Sequence, residues 1–290
     1  MSTSSDSSPV TRAEIVSALN SFGLLTGAGV MVHSSLKSFG RVEGGALAVV
    51  AALMEVVTPE GTLLMPSFNH DEPFHEAGPG YYDPRETPTS NGAIPDAFWR
   101  LEGVLRSLDP THPVAAWGRD ARRYTEYHHR TLTMGPLSPL GMLAAAGGYG
   151  LLLGVSYGAN TFHHVVEMST GAPCLGQRSE AYPVHLQDGR VVLGRTWGWR
   201  GGTCPITDRT RYAPAMFAVQ RQVQIGACTA TLFRLQDCYD IIAPLLRDGM
   251  DQVPPCSRCP IRPRRVPQTV PSDWDAENQR PLPDSVAWTY

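Results

Sequence analysis

The chain has 290 residues, a formal net charge of −3 and a sequence pI near 6.3. It is long enough to bury a sizeable α/β core, and its near-neutral balance argues against a dedicated nucleic-acid binder. The polar start, Met1 to Ser8, lacks the basic and apolar regions of a secretory signal, and no apolar run is long enough to span a bilayer. A cytoplasmic protein is expected. Its six cysteines then read as thiols or metal ligands rather than disulfides.

Residues 1–10 read as a disordered lead. Thr11 and Glu14 form a capping-box pattern, so a helix should follow and end before Gly23. Gly29 to His33 is a short apolar strand that stops at Ser34-Ser35. Gly44-Gly45 precedes a helical pattern from Ala46 to Val57, and Thr62 to Met65 is a second buried strand ended by Pro66. Two strands joined by such a helix form a parallel, right-handed βαβ unit. Residues 66–96 are rich in Pro, Gly, Asp and His, and an irregular stretch of this length in a compact domain is usually functional or mobile.

A helix is expected from Pro95 to Arg100, Val114 to Trp117 reads as strand or loop, and another helix opens at Pro139 and stops before Gly147-Gly148. Leu151 to Leu153 enters a glycine-containing turn, after which Asn160 or Thr161 can cap a helix carrying His163, His164 and Glu167. Residues three apart share a helix face, so Glu167 can hold or assist the His164 imidazole, a suitable base at neutral pH. Asp188-Gly189 within 183–192 predicts a hairpin. A strand over 226–235 and a helix over 238–247 follow. The proline-rich residues 251–290 read as an irregular tail packed on one domain spanning 11–250. The arginines from Arg258 to Arg265 read as a solvated basic face.

In order, Val32-His33-Ser34-Ser35-Leu36, Gly44-Gly45, Gly61 to Ser67, Ser138-Pro139-Leu140-Gly141 and Asn160-Thr161-x-x-His164-x-x-Glu167 resemble the aminoglycoside 3-N-acetyltransferase family. The likeness runs over about residues 12–170. Beyond Ala172 the chain looks similar to the apramycin-modifying type, with Cys256-x-x-Cys259 near the end. The resemblance implies an α/β fold with a mixed central sheet flanked by helices, distinct from the GNAT acetyltransferases. It implies acetyl-coenzyme A as donor and an amine as acceptor. His164 falls on the family's catalytic histidine and Glu167 on the acidic residue of the same motif, where it orients the base or contacts the acceptor. His33, Ser34, Ser35 and Ser67 fall on loops associated with coenzyme A, and Thr89, Asn91 and Gly92 on a cofactor-side turn. Asp71 and Glu72 are expected to meet a cationic acceptor.

One departure stands out. Where the family has a His-Pro pair followed by serine, the chain reads Asp109-Pro110-Thr111-His112-Pro113, so Asp109 and Pro110 occupy a donor-contact position with an altered side chain. A second register instead equates His112-Pro113 with the pair. Cys174, Cys204, Cys256 and Cys259 are the candidate ligands of a structural zinc, a closed site without catalytic role. The expected partners are coenzyme A and a small-molecule amine, with no nucleic acid or membrane, and a homodimer left open. Two rivals remain: a metal-dependent hydrolase using His70, Asp71 and His75, and a non-catalytic binder of coenzyme A or an amino sugar.

Overall fold

The computed structural model describes residues 8–170, 177–199 and 209–250. The four candidate zinc ligands, the basic run and the proline-rich tail lie outside the described residues.

Helix α1 (Arg12–Asn20) begins at the predicted capping box, with Thr11 Oγ1 accepting from the Glu14 N–H and Glu14 accepting from the Thr11 N–H. Strand β1 (Gly29–Ser34) leads through a short 3-10 turn to α2 (Gly45–Val57) and β2 (Thr62–Pro66). β1 and β2 are parallel, with Val30 opposite Leu63, as a βαβ unit requires. Helix α3 (Ala93–Trp99) and strands β3 (Leu105–Arg106) and β4 (Val114–Gly118) come next. Helices α4 (Ala121–Thr125) and α5 (Pro139–Ala145) precede β5 (Tyr149–Leu153). Helix α6 (Phe162–Ser169), the hairpin β6 (Gln177–His185) and β7 (Val191–Trp199), α7 (Arg209–Met216), β8 (Arg221–Ile225), β9 (Cys228–Arg234) and α8 (Leu235–Met250) complete the described fold.

The central sheet has seven strands in the order β3-β4-β2-β1-β5-β9-β8. β2, β1 and β5 are parallel and the outer pairings are antiparallel, so the sheet is mixed as expected. Strand alternation divides the core. Val30, Val32, Leu63, Met65, Leu151 and Leu153 face α1, α2 and α3. Met31, Leu64 and Leu152 face the helices α4 to α8. Burial on both faces explains why β1, β2 and β5 read as continuous apolar runs. No described helix is long and apolar enough to cross a membrane.

Two expectations change, and one open alternative is resolved. Val10 does not belong to a disordered lead: its N–H donates to the Arg41 carbonyl (2.8 Å), and its side chain joins the core. Residues 114–118 are strand rather than loop, because β4 pairs antiparallel with β2. The hairpin is longer than 183–192, with a small core of its own in which Val184, Leu186 and Val192 pack on Tyr82.

Candidate active site

The three parallel strands fix where a site can form. Their carboxyl ends share one edge of the sheet. The chain leaves β1 through α2 on one face and enters β5 from α5 on the other, so the crevice where the connections diverge lies at the ends of β1 and β5. That edge carries Ser34-Ser35 on one side and the 154–164 segment on the other. A hydrogen bond joins them directly: Thr161 Oγ1 lies 3.3 Å from His33 Nε2.

The entry to α6 is built by Asn160. Its Oδ1 accepts from the Phe162 N–H (3.2 Å), so Asn160 supplies the side-chain oxygen at this helix start, and the Thr161 hydroxyl serves His33 instead. Phe162, Val165 and Val166 then bury one face of α6 against α5 and α8, which sets His164 at the rim. His163 and His164 take different partners. His163 Nδ1 bonds to the Asn160 carbonyl, whereas His164 Nδ1 lies 2.8 Å from Glu167 Oε2. Glu167 has 0% side-chain exposure and His164 has 28%. A buried carboxylate is retained only when its charge is met by donors, and a carboxylate accepts only. With a carboxylate as partner, His164 Nδ1 is the donor of this bond, which leaves Nε2 as the ring nitrogen that does not face Glu167.

His112 is buried and its charged form strongly disfavoured, with burial the main cause, so its pKa falls to about 3. The His70 ring meets it edge-on, 5.3 Å between ring centroids. Burial likewise lowers His33 to about 4. His70 has a left-handed backbone (φ 50°), and so does Asp71 (φ 64°), a costly conformation for two successive non-glycine residues. The turn is held by the Asn69 side chain, which accepts from the Asp71 N–H (3.0 Å) and donates to the Pro110 carbonyl (2.9 Å). His70 Nδ1 meets Ser90 Oγ at 2.7 Å.

The remaining candidates separate clearly. Ser35 is half-buried and opens the 3-10 turn, with no side-chain capping bond. The hydroxyls of Ser34 and Ser67 are buried without a hydrogen-bond partner among the described residues. Thr89 and Asn91 bind the Phe68 carbonyl and N–H, and with Gly92 (φ 94°) they form the turn that leads into α3. Asp109 and Pro110 are buried, and Asp109 accepts from Thr111, His112 and Thr133. Asp71 and Glu72 are exposed, and Asp71 pairs with exposed His75 at 3.3 Å. Glu72 borders a cavity of about 480 Å³ whose lining also includes Asn69, Tyr81, Glu86, Thr89 and Ser90. The hydrolase alternative gains no support from this loop: His70 turns to Ser90 while Asp71 and His75 pair with each other. Among the described residues, the group of three metal-capable side chains with converging ligand atoms is His163, His164 and Glu167, within 4.8 Å. Cys228 and Cys238 are buried free thiols, and burial pushes Cys238 up to about 12, which makes it inert.

Sequence reasoning passed over His112, which entered only as a competing register, and it read Thr161 as a cap alone. Thr133 carried no signal in the sequence, because its value lies in a contact 24 residues away.

Comparison with known proteins agrees with this arrangement. The family model described as aminoglycoside 3-N-acetyltransferase matches residues 31–247. The SPbeta prophage-derived aminoglycoside N(3')-acetyltransferase-like protein YokD of Bacillus subtilis is 35% identical over 178 residues, 55% of this chain and 65% of that protein. Aminoglycoside N(3)-acetyltransferase IV of Salmonella sp is 35% identical over 188 residues, 62% of this chain and 66% of that protein. The chain thus spans just under two thirds of the length of these two relatives. Among solved structures, AAC-IIIb in a binary complex with CoASH superimposes with a TM-score of 0.72 at 25% identity, covering 83% of this chain and 97% of that one. A histidine-to-alanine mutant of AAC(3)-IVa in complex with a gentamicin gives 0.66 at 28% identity, covering 87% and 95%. The same mutant in complex with apramycin gives 0.65 at 26% identity, covering 85% and 94%. With a matching family model over most of its length, the chain belongs to the aminoglycoside 3-N-acetyltransferase family.

Proposed function

We propose that the chain is an acetyl-coenzyme-A-dependent N-acetyltransferase that modifies an amino group of an aminoglycoside or a related amino sugar. One observation carries the reading: His164 Nδ1 is held at 2.8 Å by a carboxylate with no exposure, at the carboxyl edge of the parallel strands. A base whose second nitrogen is fixed in this way is both oriented and stabilised when it becomes cationic. The neighbours crystallised with CoASH, gentamicin and apramycin supply the donor and acceptor classes.

A thioester is already activated, so the chemistry asks little beyond juxtaposition and proton removal. The neutral amine attacks the thioester carbonyl. His164 Nε2 takes the amine proton while Nδ1–H stays bonded to Glu167, and the thiolate leaves as the carbonyl reforms. Transfer is direct within a ternary complex, with no acyl-enzyme. A positioned base of this type contributes about 10²–10⁴ in rate. Ser34, Ser35, Ser67 and His33 lie on the donor side of the crevice. The cavity bordered by Glu72 and Glu86 is also lined by Asn69 and Ser90, and its carboxylates attract a polycationic acceptor.

Thiol release from acetyl-CoA over apramycin, gentamicin, kanamycin and simple amino sugars tests the proposal. Amine-dependent release with an acetylated product is the expected result. Absence of release with every amine, despite measurable acetyl-CoA binding, would instead identify a non-catalytic binder.

A further inference from the structure

The strand at one edge of the central sheet, β3, is two residues long, and its second residue, Arg106, is buried with 7% exposure. A buried cation is costly unless its charge is met. Arg106 makes no ion pair among the described residues: Asp83 turns to Arg85 (2.6 Å) and Asp96 to Arg100 (3.1 Å). Three carbonyls and two aromatic rings meet the guanidinium instead. Nη1 donates to the carbonyls of Thr87 (2.6 Å) and Pro84 (3.2 Å), and Nη2 donates to that of Ser67 (3.1 Å). Its central carbon lies 4.3 Å from the Trp99 ring centroid and 5.5 Å from that of Tyr82, where ring faces attract a cation.

These carbonyls belong to segments far apart in sequence. Ser67 follows β2, and its own N–H donates to the Pro113 carbonyl (2.9 Å), so the sheet side of the tie is fixed independently of Arg106. Pro84 and Thr87 lie in a turn that closes on itself. The Asp83 N–H donates to Thr87 Oγ1 (3.0 Å), and the Thr87 N–H donates to the Asp83 carbonyl (2.9 Å). The turn carries Glu86, and Glu86 and Thr87 line the cavity that Glu72 and Tyr81 also border. That lining holds two carboxylates and no cation, because Arg85, the cation of the turn, is bound at two points by Asp83. A turn outside helix and sheet keeps its place through bonds of this kind. The forked guanidinium supplies two of them from a strand of the sheet.

We propose that Arg106 is a positioning residue for acceptor selection: it pins the 83–87 turn to the sheet and so sets Glu86 and Thr87 in the wall of the cavity that receives a polycationic amine. The inference rests on the reading of that cavity as the acceptor side. Arg106 itself is buried behind the turn and acts through the backbone carbonyls, not by touching the acceptor, whose positive charge it would repel.

Steady-state kinetics with apramycin and acetyl-CoA varied in turn tests it. Arg106→Lys keeps a cation but loses the fork that reaches both carbonyls of the turn. It should raise KM for apramycin by about tenfold and leave kcat and KM for acetyl-CoA within about twofold, the signature of lost acceptor binding. Arg106→Met should give a larger rise of the same kind, so that the lysine is a partial rescue. In a Glu86→Gln background the effect of Arg106→Lys should shrink to about threefold or less, because the arginine acts through the placement of Glu86. A loss in kcat alone, equal rises for both substrates, or fully additive effects with Glu86→Gln overturn the proposal. Thr87→Val removes the acceptor of the Asp83 N–H and opens the same turn from its other side, a second route should the Arg106 variants not fold. It should raise KM for apramycin alone, and an unchanged value counts against the proposal. Amide hydrogen exchange of the free protein needs no turnover: the Glu86 and Thr87 amides should exchange about tenfold or more faster in Arg106→Lys while those of β1 do not change. Unchanged exchange at the turn contradicts the tie. A wild-type chain whose apramycin KM is insensitive to Glu72→Gln and Glu86→Gln refutes the acceptor reading of the cavity instead, and the exchange result then decides whether Arg106 holds the turn.

Discussion

Replacing Glu167 by glutamine isolates the charge of the dyad from its geometry. The amide oxygen still accepts from His164 Nδ1–H, where the carboxylate now lies at 2.8 Å, so the imidazole keeps a partner. What is lost is the attraction between a full negative charge and the imidazolium formed as the amine proton transfers. Two unit charges about 4 Å apart interact by about 4 kcal/mol at an effective dielectric near 20. Glu167 has no exposure, so solvent does not screen this pair as it would a surface pair. A transition state carrying half to most of the positive charge loses about 2–4 kcal/mol, a decrease of about 30- to 1000-fold in kcat. Both KM values should stay close to wild type, since the interaction is made only after binding. The assay is thiol release from acetyl-CoA at saturating acceptor, with circular dichroism to confirm a melting midpoint within about 5 °C of wild type. A folded Glu167→Gln enzyme within about threefold of wild-type kcat would refute the electrostatic role assigned to Glu167.

Other consequences are equally direct. His33 is buried neutral with its pKa lowered to about 4 from an ordinary 6.5, so the unfolded chain binds the proton more readily. Its contribution to stability is complete above pH 6.5 and is lost as pH falls toward 4, about 3 kcal/mol in all. Denaturant titrations of wild type and His33→Gln should diverge in that window, and parallel curves would contradict the burial argument. Gly154→Ala places a Cβ against the Ser38 side chain at a φ of 66°, so it should cost about 2 kcal/mol or more, read as a lowered melting midpoint. Asp71→Asn and Glu72→Gln should raise KM for a polycationic acceptor by about three- to tenfold and leave KM for acetyl-CoA alone, with the effect fading at high salt. Equal shifts for both substrates would point to a folding defect instead.

The sequence carried those parts of the fold that depend on local pattern. The Thr11 capping box, the parallel β1–α2–β2 unit and the turn at Asp188-Gly189 all follow from spacing and turn chemistry. The His164–Glu167 pairing was also legible, because three residues on a helix set the two side chains on one face. Long-range pairing was not. β4 joins the sheet antiparallel because β2 offers its free edge, and β8 is a partly exposed edge strand without an apolar run to announce it. Asp109 shows the limit most clearly: its place in the motif is a local signal, whereas its bond from the Thr133 hydroxyl joins residues 24 apart. Thr161 likewise reads as a cap, until β1 brings His33 to it.

Single-turnover acetylation by His164→Ala tests the central claim most directly, with acetyl-CoA and a gentamicin- or apramycin-type amine both saturating. His164 lies at the rim of α6 with 28% exposure, so the truncation leaves the core packing of Phe162, Val165 and Val166 in place. A folded variant that binds both ligands and transfers acetyl about 100-fold or more slowly is the predicted result. Transfer at a rate near wild type by the same folded variant would contradict a base at His164.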